Sequence, residues 1–336
     1  MTVINKLNDG INRQLCVAPM MDWTDRHCRY FHRLLAPSAL LFTEMVTADA
    51  ICHSEDTERF LAHNVAERPL VLQVGGSKPE KLHKAIKLAN EFGFSEFNLN
   101  VGCPSNRVQS GQFGACLMLE PDIVLECLMA MKEATNKPIS VKCRIGVDDM
   151  DVNSGLDNFV QKVSKSGISI FYIHARKALL SGLSPKENRT IPPLNHERVL
   201  RLAFENPEKT IILNGGLKNK VEIISKQSKF HGVMLGRAAY KTPFILAELH
   251  SHATGEPLIK KCTIARKMAD YADNVIEQGG NLHQITRHML GLFNGESGAK
   301  YWRRQLGEIA RLQPCNSDLI RETAALCRSK ALRKVA

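Results

Sequence analysis

Apolar residues gather along this chain in eight short runs, at 15–20, 40–46, 70–75, 96–102, 139–145, 170–175, 210–214 and 232–235. Between them lie stretches with helical spacing. In the fourth run Phe97, Leu99 and Val101 alternate with Asn98 and Asn100, the period of two expected of a strand. The stretches 79–92 and 121–135 each open at a proline, which suits the first turn of a helix because its missing N–H is not needed there. Strands alternating with helices predict right-handed βαβ units and a parallel sheet. Eight such units over about 250 residues match the size of a TIM (β/α)8 barrel, an α/β fold. An open doubly wound sheet is the alternative. It usually has fewer strands and carries G-x-G-x-x-G after the first, whereas the first run here ends in Ala-Pro-Met-Met-Asp.

After Glu248 the pattern changes. Residues 251–261 read as a linker, and from 262 onward helical spacing continues with no strand signal. Glycines at 279, 280 and 295 and the proline at 314 divide that part into about four helices. The predicted organisation is a barrel domain over 1–250, a linker over 251–261 and a small all-α helical domain over 262–336.

Composition narrows the class. With 336 residues, 44% hydrophobic and 24% charged, the chain is an ordinary globular protein large enough for one α/β domain and a smaller one. It shows neither a signal-peptide pattern nor an apolar run of the roughly 18 residues that a membrane span needs, so the expected location is the cytoplasm, with no membrane partner. Ten cysteines are scattered, with no C-x-x-C pair, and Cys16 and Cys143 sit inside apolar runs. Neither a disulfide scaffold nor a metal site is expected. The net charge of +11 is uneven: residues 257–336 hold fourteen Lys and Arg against seven Asp and Glu, a surplus of seven. A basic C-terminal part points to a polyanion partner, with a solvated helical face as the plainer reading.

On a barrel, polar residues at the C-terminal strand ends share one mouth. Here they are Pro19, Met20, Met21 and Asp22 after the first run, then Thr43 and Glu44, Gln73, Asn98, Asn100 and Cys103, Lys142 and Arg144, His174, Arg176 and Lys177, Asn214-Gly215-Gly216, and Gly236-Arg237. Phosphate in such barrels is often held after strands seven and eight, and Asn-Gly-Gly with Gly-Arg offers flexible backbone and one fixed charge there; tight turns alone would also use these glycines. Lys142 shares a face with Arg144, and an inward lysine needs an anion, such as a reduced flavin ring, to meet it. Gln73 and His174 could bond the polar edge of such a ring, although a lone histidine is more often a core residue. Cys103 could be a nucleophile, an acid or a core thiol. An acid needs little tuning, since an ordinary thiol titrates at about 8.5.

Five segments carry a resemblance: Ala-Pro-Met-Met-Asp-Trp-Thr-Asp at 18–25, Leu-Asn-Val-Gly-Cys-Pro-Ser at 99–105, His-Ala-Arg-Lys at 174–177, Gly-Leu-Ser-Pro-Lys-Glu-Asn-Arg at 182–189 and Asn-Gly-Gly at 214–216. Together they closely resemble the tRNA-dihydrouridine synthases, and among them the branch acting on D-loop uridines 20 and 20a, over nearly the whole chain. The resemblance implies an FMN enzyme with NADPH as reductant. It places Pro19, Met20 and Met21 along the flavin, Gln73, Lys142 and His174 on its ring, and Asn214, Gly215, Gly216, Gly236 and Arg237 at its phosphate. It implies hydride transfer from flavin N5 to C6 of the base, with Cys103 protonating C5. Asn100 would lie at the flipped uracil, and Arg176, Lys177, Lys186, Arg189, Arg303 and Arg304 would contact tRNA. A monomer is expected. Two rivals are an FMN oxidoreductase of free pyrimidines, of the dihydroorotate type, and a non-catalytic RNA-binding barrel.

Overall fold

The structure, a computed structural model, describes residues 9–312 and 316–332. All eight predicted strands form: β1 (Leu15–Val17), β2 (Leu41–Thr47), β3 (Leu70–Gly75), β4 (Glu96–Val101), β5 (Ile139–Arg144), β6 (Ile170–His174), β7 (Thr210–Asn214) and β8 (Gly232–Leu235). They are parallel, in the order β1-β8-β7-β6-β5-β4-β3-β2. The ring closes where Val17 N donates to Leu40 O and Leu40 N donates to Leu15 O, each at 2.9 Å. This is the predicted TIM barrel. β1 stops at Val17, short of the predicted 20, because Pro19 brings no N–H to the ladder.

The helices around the barrel follow their apolar stripes. Pro79–Ala89 buries Leu82, Ala85, Ile86 and Ala89, and Pro121–Glu133 buries Val124, Cys127, Leu128 and Met131. Both sets fall at helical spacing, with proline in the first turn. Burying each large side chain contributes about 1.5–3 kcal/mol.

Inside the barrel Cys16, Leu40, Phe42, Val71, Tyr172, Ile212 and Met234 pack as one cluster. The interior near β4 is polar instead. The period of two puts Glu96, Asn98 and Asn100 on one face, and strand pairing sets Gln73 and Ser140 beside Asn98 and Lys142 beside Asn100. Phe97, Leu99 and Val101 take the opposite face, so the alternation seen in the sequence is the division between barrel lumen and helix layer.

By contacts the chain parts into two compact units, the first running up to Met21 with Leu40–Leu235, the second comprising Asp22–Ala39 with the chain from Gly236. The second is helical, with Arg26–Leu35, Arg237–Lys241, Phe244–Thr254, Lys261–Glu277, Leu282–Thr286, Ala299–Gly307 and Asp318–Leu332. Residues 251–254, part of the predicted linker, continue a helix. Trp302 is fully buried here, its indole donating to Met289 O at 2.8 Å. Asp25 caps Arg26–Leu35 by accepting from Cys28 N, and its other oxygen takes Arg287 and His288. Among the described residues no helix is long and apolar enough to cross a membrane.

Burial pushes His32 down to about 3 and His27 down to about 4. Both lie in this unit. Their folded pKa values fall below the unfolded value of about 6.5, so their contribution is complete above that pH and is lost as pH falls through it toward 4. By pH 5 the loss is expected to reach about 1–2 kcal/mol per histidine. Both tryptophans of the chain, Trp23 and Trp302, belong to this unit, so urea unfolding followed by tryptophan fluorescence reports it selectively. A midpoint unchanged between pH 7 and pH 5 would refute the assignment, and His32→Gln should flatten the slope.

Candidate active site

Strand register gathers the site. Asn100 lies beside Lys142, Arg144 beside His174, and His174 beside Asn214, all at the C-terminal ends of their strands. Lys142 Nζ donates to Asn214 Oδ1 at 3.1 Å, and Asn214 in turn donates to Met234 O at 2.8 Å. Among the described residues no carboxylate pairs with Lys142. Burial, with Arg144 nearby, pushes its ammonium down to about 8. Gln73 and Asn100 are buried, and each commits one side-chain N–H inside the barrel, Gln73 to Asn98 at 2.8 Å and Asn100 to Gln73 at 2.9 Å. Each keeps a second N–H to offer.

Cys103 follows β4 by two residues. Its own N–H and that of Gly102 both donate to Asn100 Oδ1 at 3.0 Å, and its carbonyl accepts from Ala115 N at 2.9 Å. The thiol is half-buried, 3.5 Å from Ser105 Oγ and within electrostatic reach of Lys142 and Arg144. Gly114 keeps this turn closed: its φ is +80°, and a Cβ there would stand 2.6 Å from Cys103 O.

Arg144 does not reach into the mouth as its position in the strand implies. Its Nε donates to Gly102 O at 3.0 Å, and its Nη1 to Lys177 O at 2.9 Å and Asn188 O at 2.8 Å. Burial, with Arg189 and Arg176 nearby, pushes this guanidinium down to about 10. It therefore ties the Cys103 loop to the loop after β6. Gln109 adds a second tie, donating to Pro104 O and Leu180 O. The loop's own frame is the Ser-Pro-Lys-Glu-Asn-Arg motif. Ser184 and Glu187 bond reciprocally, and the buried Asn188 holds both the N–H and the carbonyl of Leu179. Lys186 and Arg189 are left exposed, and Arg176 donates to the carbonyls of Thr190 and Pro192. Lys177 is half-buried.

Pro19 and Met20 are half-buried after β1, and Met21 is 56% exposed. Gly215 and Gly216 have φ of +107° and +75°. A Cβ at Gly215 would stand 2.4 Å from the His174 ring, so glycine permits that contact. The remaining expected residues belong to the second unit. Gly236 is the cap of the helix that Arg237 begins. Arg303 donates to Asn294 Oδ1 at 3.0 Å, and Arg304 stands 3.8 Å from Glu308, both exposed on the helix Ala299–Gly307. Among the described residues no group of three or more His, Cys, Asp or Glu is arranged to hold a metal ion.

The sequence reading missed Arg13, Glu96, Ser140, Tyr172 and Asn188. Glu96 did leave a signal, as the first of three polar residues at period two in an otherwise apolar strand. Arg13, 83 residues away, left none.

The sequence pattern of the dihydrouridine synthase family matches residues 16–329. The tRNA-dihydrouridine(20/20a) synthase of Vibrio parahaemolyticus is 50% identical over 315 residues, covering 93% of this chain and 96% of that protein. The protein of the same name from Yersinia pestis is 47% identical over 317 residues, covering 94% and 91%. That from Pseudomonas syringae is 48% identical over 299 residues, covering 88% and 89%. The family match begins within β1 and takes in all of β2–β8 and most of the helical unit, and at this extent and identity the chain belongs to the dihydrouridine synthase family.

Proposed function

We propose that the protein is a tRNA-dihydrouridine synthase that reduces the C5–C6 double bond of D-loop uridines at positions 20 and 20a, with FMN as cofactor and NADPH as reductant. The observation that carries the reading is a thiol at the barrel mouth, its backbone pinned by Asn100 and two cations close by. The donor set suits a flavin. Among the described residues Lys142 is a cation bonded to the neutral Asn214 and to no carboxylate, with a depressed pKa that an acceptor-rich or anionic ring edge would relieve. Gln73 and Asn100, at neighbouring strand ends, each keep a second side-chain N–H to offer. The backbone of Gly215 and Gly216 suits a phosphate. FMN, when bound, supplies the hydride that C6 receives.

The chain's own residues do the rest. Cys103 Sγ holds the proton for C5. Once it is given up, the thiolate left behind is stabilised by Lys142 and Arg144. C5 and C6 are covered in a stacked base, so the uridine must leave its stack to reach the thiol. The exposed Lys186 and Arg189 contact RNA phosphates from a loop stiffened by Asn188. Arg303 and Arg304 offer further charge in the basic helical part. These contacts weaken with salt.

The test is incubation of the purified protein with FMN, NADPH and unmodified tRNA, followed by mass spectrometry of mapped fragments. Mass gains at uridines 20 and 20a are expected. Gain at neither position refutes the target assignment, and reduction of free pyrimidines without any of tRNA would favour the pyrimidine oxidoreductase.

A pH effect follows from Lys142. Below pH 8 its ammonium is charged and meets the flavin. Above pH 8 it must take up a proton on binding, so FMN affinity is expected to fall by up to about tenfold per pH unit. Titration calorimetry at pH 7 and 9 reads this directly. Lys142→Met should bind more weakly and lose the dependence; the same dependence in that variant would remove Lys142 from the ring.

A further inference from the structure

A row of polar side chains runs through the barrel interior to the Cys103 loop, and its polarity is dictated at both ends. At the inner end Glu96 is fully buried. Its Oε2 accepts from Arg13 Nη2 at 2.6 Å and Nε at 2.9 Å, and its Oε1 accepts from Ser140 Oγ at 2.5 Å and Tyr172 OH at 3.0 Å. An ionised carboxylate only accepts. Ser140 has one proton and commits it here, so toward Asn98 it presents an oxygen. Asn98 therefore turns its amide nitrogen to Ser140, at 2.8 Å, and its oxygen to Gln73. Gln73 donates to that oxygen at 2.8 Å and accepts from Asn100 Nδ2 at 2.9 Å. Asn100 is left with its oxygen toward the mouth, where Gly102 N and Cys103 N meet it, each at 3.0 Å.

The outer end makes the same demand independently, because two backbone N–H groups can only donate. With an acceptor-only group at one end and donor-only groups at the other, one orientation of the three amides satisfies every link. Turning any one of them sets two like groups face to face inside a buried network, where an unmade bond is costly.

We propose that Glu96 is a positioning residue of the active site. Acting through Ser140, Asn98 and Gln73, it holds Asn100 as an acceptor and so fixes the backbone that carries Cys103. Its bearing on catalysis rests on the reading of Cys103 as the proton donor, whereas the relay itself can be measured without cofactor or RNA.

Ser140→Ala removes the proton that orients Asn98, yet leaves Arg13 and Tyr172 on Glu96. Tyr172→Phe removes the other hydroxyl from the same carboxylate but lies off the relay. In the full chain, amide hydrogen exchange at Gly102 and Cys103 is expected to quicken about five- to tenfold in Ser140→Ala, the loss of roughly one hydrogen bond. In Tyr172→Phe it should stay within about twofold of wild type after correction for any change in thermal midpoint. Equal effects of the two variants, or no effect of Ser140→Ala, overturn the relay. On tRNA, Ser140→Ala should lower kcat and leave KM unchanged. Faster exchange with unaltered kcat overturns the positioning role, while full turnover by Cys103→Ala overturns the underlying reading of the thiol instead.

Discussion

Cys103→Ala is expected to lower dihydrouridine formation by about 10²–10⁴-fold, the usual contribution of a positioned general acid. FMN binding and the reduction of FMN by NADPH should persist, because Lys142, Gln73 and His174 are untouched. The asymmetry is what gives the experiment its force. A thiol with only a packing role would affect all three properties together or none. The backbone of residue 103 is held by Asn100 Oδ1 and Ala115 N, neither of which needs the side chain, so the loop should keep its course in the variant. Cys103→Ser is the sharper comparison. It keeps nearly the same size and a hydrogen bond toward Ser105, but a hydroxyl is a far weaker acid, and its turnover should remain close to that of alanine. Flavin absorbance after mixing with NADPH, followed by mass analysis of tRNA, separates the two half-reactions. Turnover near wild type in either variant would remove Cys103 from the proton transfer.

Most of the scaffold was legible in the sequence. Period-two runs alternating with helical stripes are local signals, and each of the eight strands formed within a few residues of its predicted place. Errors fell where a single residue overrides the pattern, as Pro19 does at the end of β1. The site was legible to the extent that strand ends on a barrel must share a mouth. What a side chain does there was less visible. Its position at the end of β5 points Arg144 toward the mouth, yet its guanidinium binds three carbonyls from two loops. No sequence pattern shows where loop carbonyls will converge. The pairing of Arg13 with Glu96 was equally hidden, since it joins a residue ahead of the first strand to the start of the fourth. Asp22–Ala39 carries no compositional break from β1, although its contacts are with the helical unit.

Arg13→Ala is expected to be the most destabilising single change in the barrel, at about 3–5 kcal/mol, because it leaves a buried carboxylate without its cation. Although burial works against the charge of Arg13, Glu96 keeps its guanidinium protonated more firmly than usual. Burial already pushes the Glu96 carboxyl up, and without Arg13 only hydroxyl donors oppose that push. In the variant the carboxyl should therefore titrate higher still, so the deficit grows as pH rises and shrinks as the group takes up a proton at lower pH. Far-UV circular dichroism in urea is the appropriate probe, since both tryptophans lie in the other unit. A deficit independent of pH would mean that lost packing, not an uncompensated charge, is responsible. Arg13→Leu combined with Glu96→Leu removes both charges and should recover much of the stability. It should not recover the protection of the Gly102 and Cys103 amides, because an apolar side chain at 96 cannot dictate the direction of the Ser140 proton. Recovery of both would show that the pair serves the fold alone; recovery of stability without protection would show that the buried carboxylate is kept for the site.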